Sequence, residues 1–194
     1  MDIFDGRISS CGFSSGDRIV IGDWEKSPLG PFTNVMWAKP DGTRVLLTPS
    51  QKHGDYVSSL YNFEEVHIVP LETIRGKRSM EVNAGQLNVS LEWQRGFGVP
   101  FNRPRWFIAT IEQVVARLLF GTKTFGRTCN GLREWYCVRS LSKINIANAS
   151  WDGGGFGSKS NFEITACFGF SEPPKKPSSV RVRSMIESND KRRV

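Results

Sequence analysis

Strand-length runs in which apolar and polar residues alternate, separated by glycine turn signals, constrain the fold of this chain more than any other feature. The clearest is QLNVSLEW at 86–93, where every second residue from Leu87 to Trp93 is apolar. Successive side chains of a β-strand point to opposite faces, so this run predicts a strand with one buried face. The same alternation predicts strands at EITACFGF (163–170) and VRVRSMI (180–186).

Glycine turn signals join several of these runs into hairpins. The runs FTNVMWAK (32–39) and TRVLLTP (43–49) flank Pro-Asp-Gly at 40–42. The run at 86–93 and a shorter run before it flank Asn-Ala-Gly at 83–85 in the same way. Glycine reaches the positive φ that tight hairpin turns require, so both segments predict antiparallel pairs.

Two helices interrupt the strands. The longer is predicted at 103–120, with Asn102 as N-cap, Pro104 in the first turn and Gly121 after the last turn. Its apolar residues recur at helical spacing: Phe107, Ile111, Val114, Val115 and Leu118. The shorter is predicted at 51–62, with Tyr56, Val57, Leu60 and Tyr61 on one face.

These elements predict a mainly β (α+β) fold. The expected architecture is an antiparallel closed or partly closed β-barrel, or a strongly curved sheet, with one long and one short helix. A chain of 194 residues is short for two ordinary domains. We therefore expect one domain over residues 1–186, followed by a disordered basic tail at 187–194.

Cysteine usage and hydropathy bear on location. The four cysteines, Cys11, Cys129, Cys137 and Cys167, are widely spaced, and the first residues do not resemble a secretion signal. The most apolar stretch, IEQVVARLLF, is far shorter than the roughly 20 apolar residues of a membrane span. The sequence thus predicts a cytoplasmic protein with no membrane partner.

The net charge of +7 raises the question of a nucleic-acid partner. From Ser171 to Val194 seven basic residues stand against three acidic ones, a net of +4, which leaves only +3 for residues 1–170. The charge therefore lies mainly at one end of the chain. Terminal basic residues are commonly solvated, so nucleic-acid binding by this segment is the weaker interpretation.

The sequence contains no cofactor-binding motif, no metal-binding motif and no nucleophile-elbow motif. Neither a cofactor nor a metal is therefore predicted. The glycine-rich segment WDGGGFGSKS (151–160) does not match a phosphate-binding loop, because Ser158 separates Gly157 from Lys159. It is interpreted as a flexible or ligand-covering loop. The only histidines, His53 and His67, are interpreted as ordinary surface residues.

The densest group of chemically functional residues is RTCNGLREWYC at 127–137. Asn130-Gly131 is the strongest signal for a two-residue type I′ turn, and such a turn would pair Arg127 with Glu134. Alternation along the second strand then places Glu134 and Tyr136 on one face. Trp135 and Cys137 fall on the other face, away from Cys129.

This hairpin supplies the predicted ligand-binding residues: Arg127, Glu134, Trp135 and Tyr136. A buried carboxylate needs a compensating partner, and Arg127 is the expected one. The pair could be a structural ion pair that fixes the strand register. It could also be the charged floor of a ligand cavity.

The segments DIFDGRI, PDGTRVLLTP and NGLREWY together resemble a family of small bacterial proteins that has no assigned activity. The resemblance extends to about residue 186. It implies that these segments belong to one domain, and it brings no catalytic residue or cofactor.

Three hypotheses for function follow. The first is a β-barrel that binds a small apolar or aromatic molecule without catalysis, which requires a cavity of a few hundred Å³. The second is an enzyme that uses Glu134 or a cysteine in such a cavity, with a histidine or cysteine close to Glu134. The third is a nucleic-acid-binding protein that uses the basic residues between 175 and 194.

Overall fold

The computed structural model describes residues 1–99, 103–162 and 166–188, and these ranges form a β-rich fold. The strands are β1 (Asp2–Phe13), β2 (Arg18–Lys26), β3 (Phe32–Ala38), β4 (Arg44–Thr48), β5 (Glu65–Ile68), β6 (Leu71–Arg75), β7 (Ser79–Ala84), β8 (Leu87–Trp93), β9 (Phe97–Gly98), β10 (Phe125–Arg127), β11 (Arg133–Trp151), β12 (Gly154–Gly155), β13 (Lys159–Ser160) and β14 (Ser178–Ile186). The helices are α1 (Gln51–Leu60), α2 (Arg105–Phe107) and α3 (Gln113–Phe120). A π-helical stretch, Ile108–Glu112, joins α2 to α3, and the three pieces together are called the 105–120 helix.

The strands form one strongly curved sheet in the order β5-β4-β3-β2-β1-β14-β11-β8-β7-β6. All neighbours on this path are antiparallel except β4 and β5, which are parallel and joined through α1. The sheet curls far enough that the edge strand β6 contacts β2 and β3. Thr73 Oγ1 lies 3.0 Å from Thr33 Oγ1, and Arg75 binds the carboxylate of Asp23. The predicted fold class is confirmed.

The space inside the curl is a filled hydrophobic core. Strands β2 to β4 contribute Ile19, Ile21, Val35 and Leu47, and β7 and β8 contribute residues such as Leu91 from the opposite side. The glycine-rich segment 151–160 closes this core, because the Phe156 ring is buried and stacks on Trp37 with centroids 5.4 Å apart. The interpretation of that segment as a flexible or ligand-covering loop is wrong.

The same strands carry apolar residues on their other face. In β2, Ile19 and Ile21 enter the filled core, whereas Val20, Gly22 and Trp24 face the opposite side. A strand with both faces covered is apolar at nearly every position rather than at alternate ones. Helix α1 and the 105–120 helix lie over this second face, where they leave a cavity between themselves and the sheet.

Most predicted strands are confirmed, including the alternation along β8 and both glycine turns, with φ of +89° at Gly42 and +61° at Gly85. The strand predicted at 163–170 is wrong where the chain is described: 163–165 lie outside the described residues, and 166–170 are irregular. The amides of Phe168 and Gly169 donate to the Glu172 carboxylate. A side chain thus replaces the strand partner that these amides would otherwise need.

Both predicted helices are present, at 51–60 and 105–120, and Gly121 ends the second with a φ of +68°. The predicted N-cap, Asn102, lies outside the described residues. The expected disordered tail also lies mostly outside them, but Glu187 is described and its backbone amide donates to the carbonyl of Arg133 at 2.9 Å.

Candidate functional site

The hairpin at 125–138 has a different register from the predicted one. Arg127 pairs with Arg133 and Gly126 pairs with Glu134, so the expected Arg127–Glu134 pair is wrong. The amide of Thr128 donates to the carbonyl of Leu132 at 2.9 Å, which leaves a three-residue loop at 129–131. Of these residues only Gly131 has a positive φ, of +83°. This is the three-residue hairpin loop with glycine in the left-handed position, not the type I′ turn.

The register removes two of the four predicted ligand-binding residues from the site. Arg127 is exposed and donates to the carbonyl of Gly131 at 2.9 Å. Trp135 lies on the other face of β11 from Glu134 and packs against Phe125, with ring centroids 5.2 Å apart. Neither residue lines the cavity.

Glu134 and Tyr136 do line the cavity, on the face that the alternation predicted. The Glu134 side chain has no exposure to solvent. It accepts a hydrogen bond from Ser184 Oγ at 2.7 Å and from the Tyr61 hydroxyl, which lies 2.9 and 3.0 Å from its two oxygens. The Tyr61 and Tyr136 hydroxyl oxygens are 2.9 Å apart. These four residues form a hydrogen-bond chain, here called the Glu134 network.

Burial raises the pKa of Glu134 to about 7, against the opposing effect of hydrogen bonds from Ser184, Tyr61 and Tyr136. No ion pair to Glu134 forms within the described ranges. The carboxyl is therefore balanced between its two protonation states near neutral pH. Burial and the nearby Glu134 charge raise the pKa of both tyrosines well above 10, so both stay protonated.

The cavity has a volume of about 540 Å³ and a wall that is mostly apolar. Its floor runs along β11 and β14, from the paired residues Leu141 and Val180 at one end to Glu134 at the other. Helix α1 covers the Glu134 end with Val57 and Leu60. The polar groups of the Glu134 network thus form a polar end of a mostly apolar cavity, whose wall also includes Asn34 and the paired Arg103 and Glu112.

An irregularity in β11 keeps this floor continuous. Val138 pairs with Val182, but the next pair is Ser140 with Arg181, so the register shifts at Arg139. A β-bulge of this kind reverses the alternation of side chains beyond it. Leu141 consequently lines the same cavity as Val138, although the two are an odd number of residues apart.

The segment 166–174, here called the covering segment or cover, packs over Tyr61 and Tyr136 of the Glu134 network. The Phe170 ring stacks on Tyr136, with centroids 5.7 Å apart and an interplanar angle of 24°. A Cβ at Gly126 would lie 2.1 Å from the Phe170 ring, so only glycine leaves room for this contact. The absence of a side chain at Gly126 thus allows the cover to close.

A buried ion pair anchors the same cover to the sheet. Glu172 binds Arg18 of β2, and both side chains are buried. The Arg18 guanidinium lies over the rings of Phe162 and Phe168, 4.9 and 4.7 Å from their centroids. Burial raises the pKa of Glu172, while the Arg18 charge opposes that shift. Glu172 also lines the cavity, so the anchor forms part of its wall.

In the part of the chain that the structure describes, no hydrogen bond joins a histidine or cysteine side chain to the Glu134 network. His67 is exposed and bound to Glu65, as expected, whereas His53 is partly buried against Phe32, with ring centroids 4.4 Å apart. Burial raises the pKa of the Cys11 thiol to about 12, which disfavours the thiolate. Among the described residues, no three potential metal ligands lie together.

Two members of the network, Tyr61 and Ser184, were not among the predicted site residues. Tyr61 follows α1 directly and reaches the site only because α1 packs on this face. Ser184 had a local signal, since it lies on the same face of β14 as Val180, Val182 and Ile186. A hydroxyl on an otherwise apolar strand face indicates a buried hydrogen-bond partner.

No family model matches the chain, and the search of curated proteins finds no match. Among solved structures, the crystal structure of acetoacetate decarboxylase from Legionella pneumophila subsp. pneumophila str. Philadelphia 1 is similar, with 10% sequence identity and a TM-score of 0.44. The match covers 95% of this chain and 84% of that chain. A likeness at this level carries no argument about the site. None of the described helices is both long and apolar enough to cross a membrane.

Proposed function

We propose that the chain binds a small, largely apolar molecule with one hydrogen-bonding group, and that this group lies against the Glu134 network. The observation that carries the proposal is a cavity of about 540 Å³ with mostly apolar walls and the hydrogen-bonded Glu134 network at one end. Ligand pockets are typically of this size, with apolar linings and few polar groups that fix orientation.

The network favours a ligand group that can both donate and accept a hydrogen bond. When Glu134 is ionised, Tyr61 donates to it, and Tyr136 can donate to Tyr61. Tyr136 then offers an oxygen lone pair to a ligand hydroxyl. When Glu134 is protonated, the chain can reverse, so that the Tyr136 hydroxyl donates to a ligand carbonyl or hydroxyl. A phenol or alcohol suits both states.

Binding of 2-naphthol, compared with naphthalene, tests the proposal. Equilibrium dialysis is expected to give saturable binding of both molecules, with tighter binding of 2-naphthol. Tyr136→Phe should weaken 2-naphthol binding roughly fivefold, the loss of one hydrogen bond of about 1 kcal/mol, and leave naphthalene binding unchanged.

Tyr56→Phe is the matched control. Tyr56 also lines the cavity, but its hydroxyl donates to Asp2 at 3.0 Å. Loss of the Tyr56 hydroxyl should not change the preference for 2-naphthol over naphthalene. Absence of saturable binding of either molecule would exclude the proposal. Equal effects of the two tyrosine variants on 2-naphthol binding would show that the Glu134 network does not bind the ligand hydroxyl.

The position of Glu134 favours a second candidate function, proton transfer to or from carbon next to a carbonyl group. A carboxyl with a pKa of about 7 is close to the optimum for a general acid or base at neutral pH. The carboxylate would take a proton from the α-carbon, the electron pair would move into the C=C bond of an enolate, and the enolate oxygen would accept a hydrogen bond from Tyr136. Return of the proton from Glu134 to carbon restores the ketone.

Exchange of the α-protons of 2-acetonaphthone in D₂O, followed by NMR, tests this second function. The exchange rate should rise with pH and level off above about 7, because the base is ionised Glu134. Glu134→Gln should abolish the protein-dependent exchange, while Tyr56→Phe should not. Exchange that persists in Glu134→Gln would exclude Glu134 as the base.

A further inference from the structure

The 105–120 helix exposes an apolar surface that the rest of the described chain leaves uncovered. Leu118 is 80% exposed and Trp106 is 65% exposed, and Phe97 of the neighbouring β9 is 88% exposed. The exposed apolar residues of this surface, here called the apolar face, are Phe97, Trp106, Ile111, Val114, Val115, Leu118 and Phe120. Large contiguous apolar surfaces of this kind mark sites of interaction with a protein or a membrane.

The apolar face is continuous with the mouth of the cavity. Ile111, Val115, Phe97 and Phe120 both line the cavity and remain exposed, so they mark its opening. Trp106, Val114 and Leu118 do not line the cavity and form the neighbouring stripe, at a spacing of eight and four residues. A molecule that moves from an apolar phase in contact with this face would therefore enter the cavity without passing through water.

The exposed charges of residues 103–123, the segment that contains the 105–120 helix, are all basic. Between residues 103 and 123 the bases are Arg103, Arg105, Arg117 and Lys123, and the one acid is Glu112. Glu112 forms an ion pair with Arg103 in which both side chains are mostly buried. The remaining three basic residues are exposed. An apolar helix face bordered by exposed basic residues is the pattern of a helix that lies in the interface of an anionic bilayer.

We propose that the 105–120 helix docks on the surface of an anionic lipid bilayer and turns the cavity mouth toward it. The occupant of the apolar face is thus the bilayer interface, with Trp106 and Leu118 inserted among the lipids and Arg105 and Arg117 at the headgroups. Docking does not require the proposed ligand binding, although the two together would give an apolar ligand a direct route from the bilayer.

The sequence alone predicted no membrane partner, because that argument considered only membrane spans. A helix that lies on the surface needs only an exposed apolar side. That exposure arises because the tertiary structure packs little against the outer stripe of this helix.

Sedimentation with sucrose-loaded vesicles tests the docking. The full chain should bind vesicles of phosphatidylcholine and phosphatidylserine, and bind pure phosphatidylcholine vesicles more weakly. The double variant Trp106→Ser/Leu118→Ser should reduce binding to both kinds of vesicle at least about tenfold, because the loss of two large side chains removes most of the inserted area. Arg117→Gln should weaken binding roughly fivefold with phosphatidylserine present, and little without it.

Ile74→Ser is the matched control. Ile74 is 61% exposed, but it lies on β6, which contributes no residue to the apolar face. The Ile74→Ser variant should bind vesicles like the unchanged chain. Equal sedimentation with and without vesicles would overturn the proposal, as would full binding by the double variant. So would a concentration-dependent dimer in vesicle-free buffer that the double variant abolishes, because the occupant would then be a second copy.

Binding of 2-naphthol without vesicles separates the two proposals. The double variant changes no residue of the cavity wall, so it should keep the affinity of the unchanged chain. Loss of vesicle binding with unchanged 2-naphthol binding supports docking through this helix. A chain that binds 2-naphthol but no vesicles would overturn docking alone.

Discussion

The two faces of the central strands show what separates a core from a binding site. On one face, Ile21 and its neighbours pack against β7 and β8, and the stacked rings of Trp37 and Phe156 cover the end of this core. On the other face, Val20, Gly22 and Trp24 of the same strand lie beneath helices and a covering segment, which leave about 540 Å³ unfilled. Both faces are apolar. The element packed against each face, rather than its own composition, decides whether it becomes a core or a cavity.

The two faces also differ in how their buried carboxyl groups are held. On the filled side, Asp17 accepts a hydrogen bond from Trp37 Nε1 at 2.7 Å. Asp23 is bound by Arg75 and Thr33. The cavity instead contains a buried carboxyl, two tyrosine hydroxyls and a serine hydroxyl, joined by hydrogen bonds. A buried polar network is costly unless its members are satisfied, and here each of the four members has a hydrogen-bond partner.

Truncation of one leucine on each side should give the largest difference. Leu91→Ala in the filled core is expected to lower the free energy of unfolding by about 3 kcal/mol, because it leaves a cavity that neighbours cannot close. Leu141→Ala in the cavity wall should lower it by less than about 1 kcal/mol, because Leu141 already borders open space. Urea unfolding measures both values, and equal losses would contradict the distinction between the two faces.

The protonation of Glu134 should appear in the pH dependence of stability. Its pKa of about 7 in the folded state is raised above the ordinary value of 4.5. Its contribution to stability is therefore fully present below about pH 4.5 and is lost as the pH rises through about 7. The loss attributable to this group is on the order of 3 kcal/mol.

Glu134→Gln removes that titration. The variant should become more stable relative to the unchanged chain as the pH rises from about 4.5 to 7, measured by urea unfolding at several pH values. A constant difference across this range would show that Glu134 titrates near its ordinary pKa. Glu187→Gln provides the comparison: hydrogen bonds from Arg133 lower the pKa of Glu187, so its contribution is lost only as the pH falls below about 4.5, and the variant should show no change between pH 4.5 and 7.

The covering segment can be displaced without changing the network itself. Gly126→Ala places a Cβ against the Phe170 ring and should cost about 1–3 kcal/mol of stability, as overpacked sites do. It should also weaken 2-naphthol binding, since Phe170 covers Tyr136. The control is Gly98→Ala in β9, where a Cβ meets nothing within 4 Å. If both variants bind 2-naphthol equally well, the cover is not needed for binding.

The smallest expected change in stability comes from filling the cavity. Val180→Phe adds a ring to the open end of the floor and should change the free energy of unfolding by less than about 1 kcal/mol, while 2-naphthol binding is lost. Val82→Phe in the filled core should instead cost about 1–3 kcal/mol. Comparable losses from both substitutions would mean that the cavity is closed in solution.

Local signals in the sequence determined much of the fold. Alternation identified β8 and β14, glycines marked the hairpins that end β3 and β7, and helical spacing located both helices. These features depend on backbone geometry within a few residues, which composition and spacing report directly. Alternation also placed Glu134 and Tyr136 together on one face, because the side chains of a strand repeat every second residue whatever its partner is.

The tertiary structure decided what lies opposite those residues. Asn130-Gly131 is compatible with either a two-residue or a three-residue loop, and a shift of one residue in the partner strand replaced Arg127 with Gly126 opposite Glu134. The partners of Glu134 came from Tyr61 and Ser184, which are 73 and 50 residues away in the chain. Contacts at such separations follow from how the sheet curls and where α1 packs. The sequence thus determined which side chains share a face, and only the tertiary structure determined that this face borders a cavity, because a cavity is a property of both of its walls.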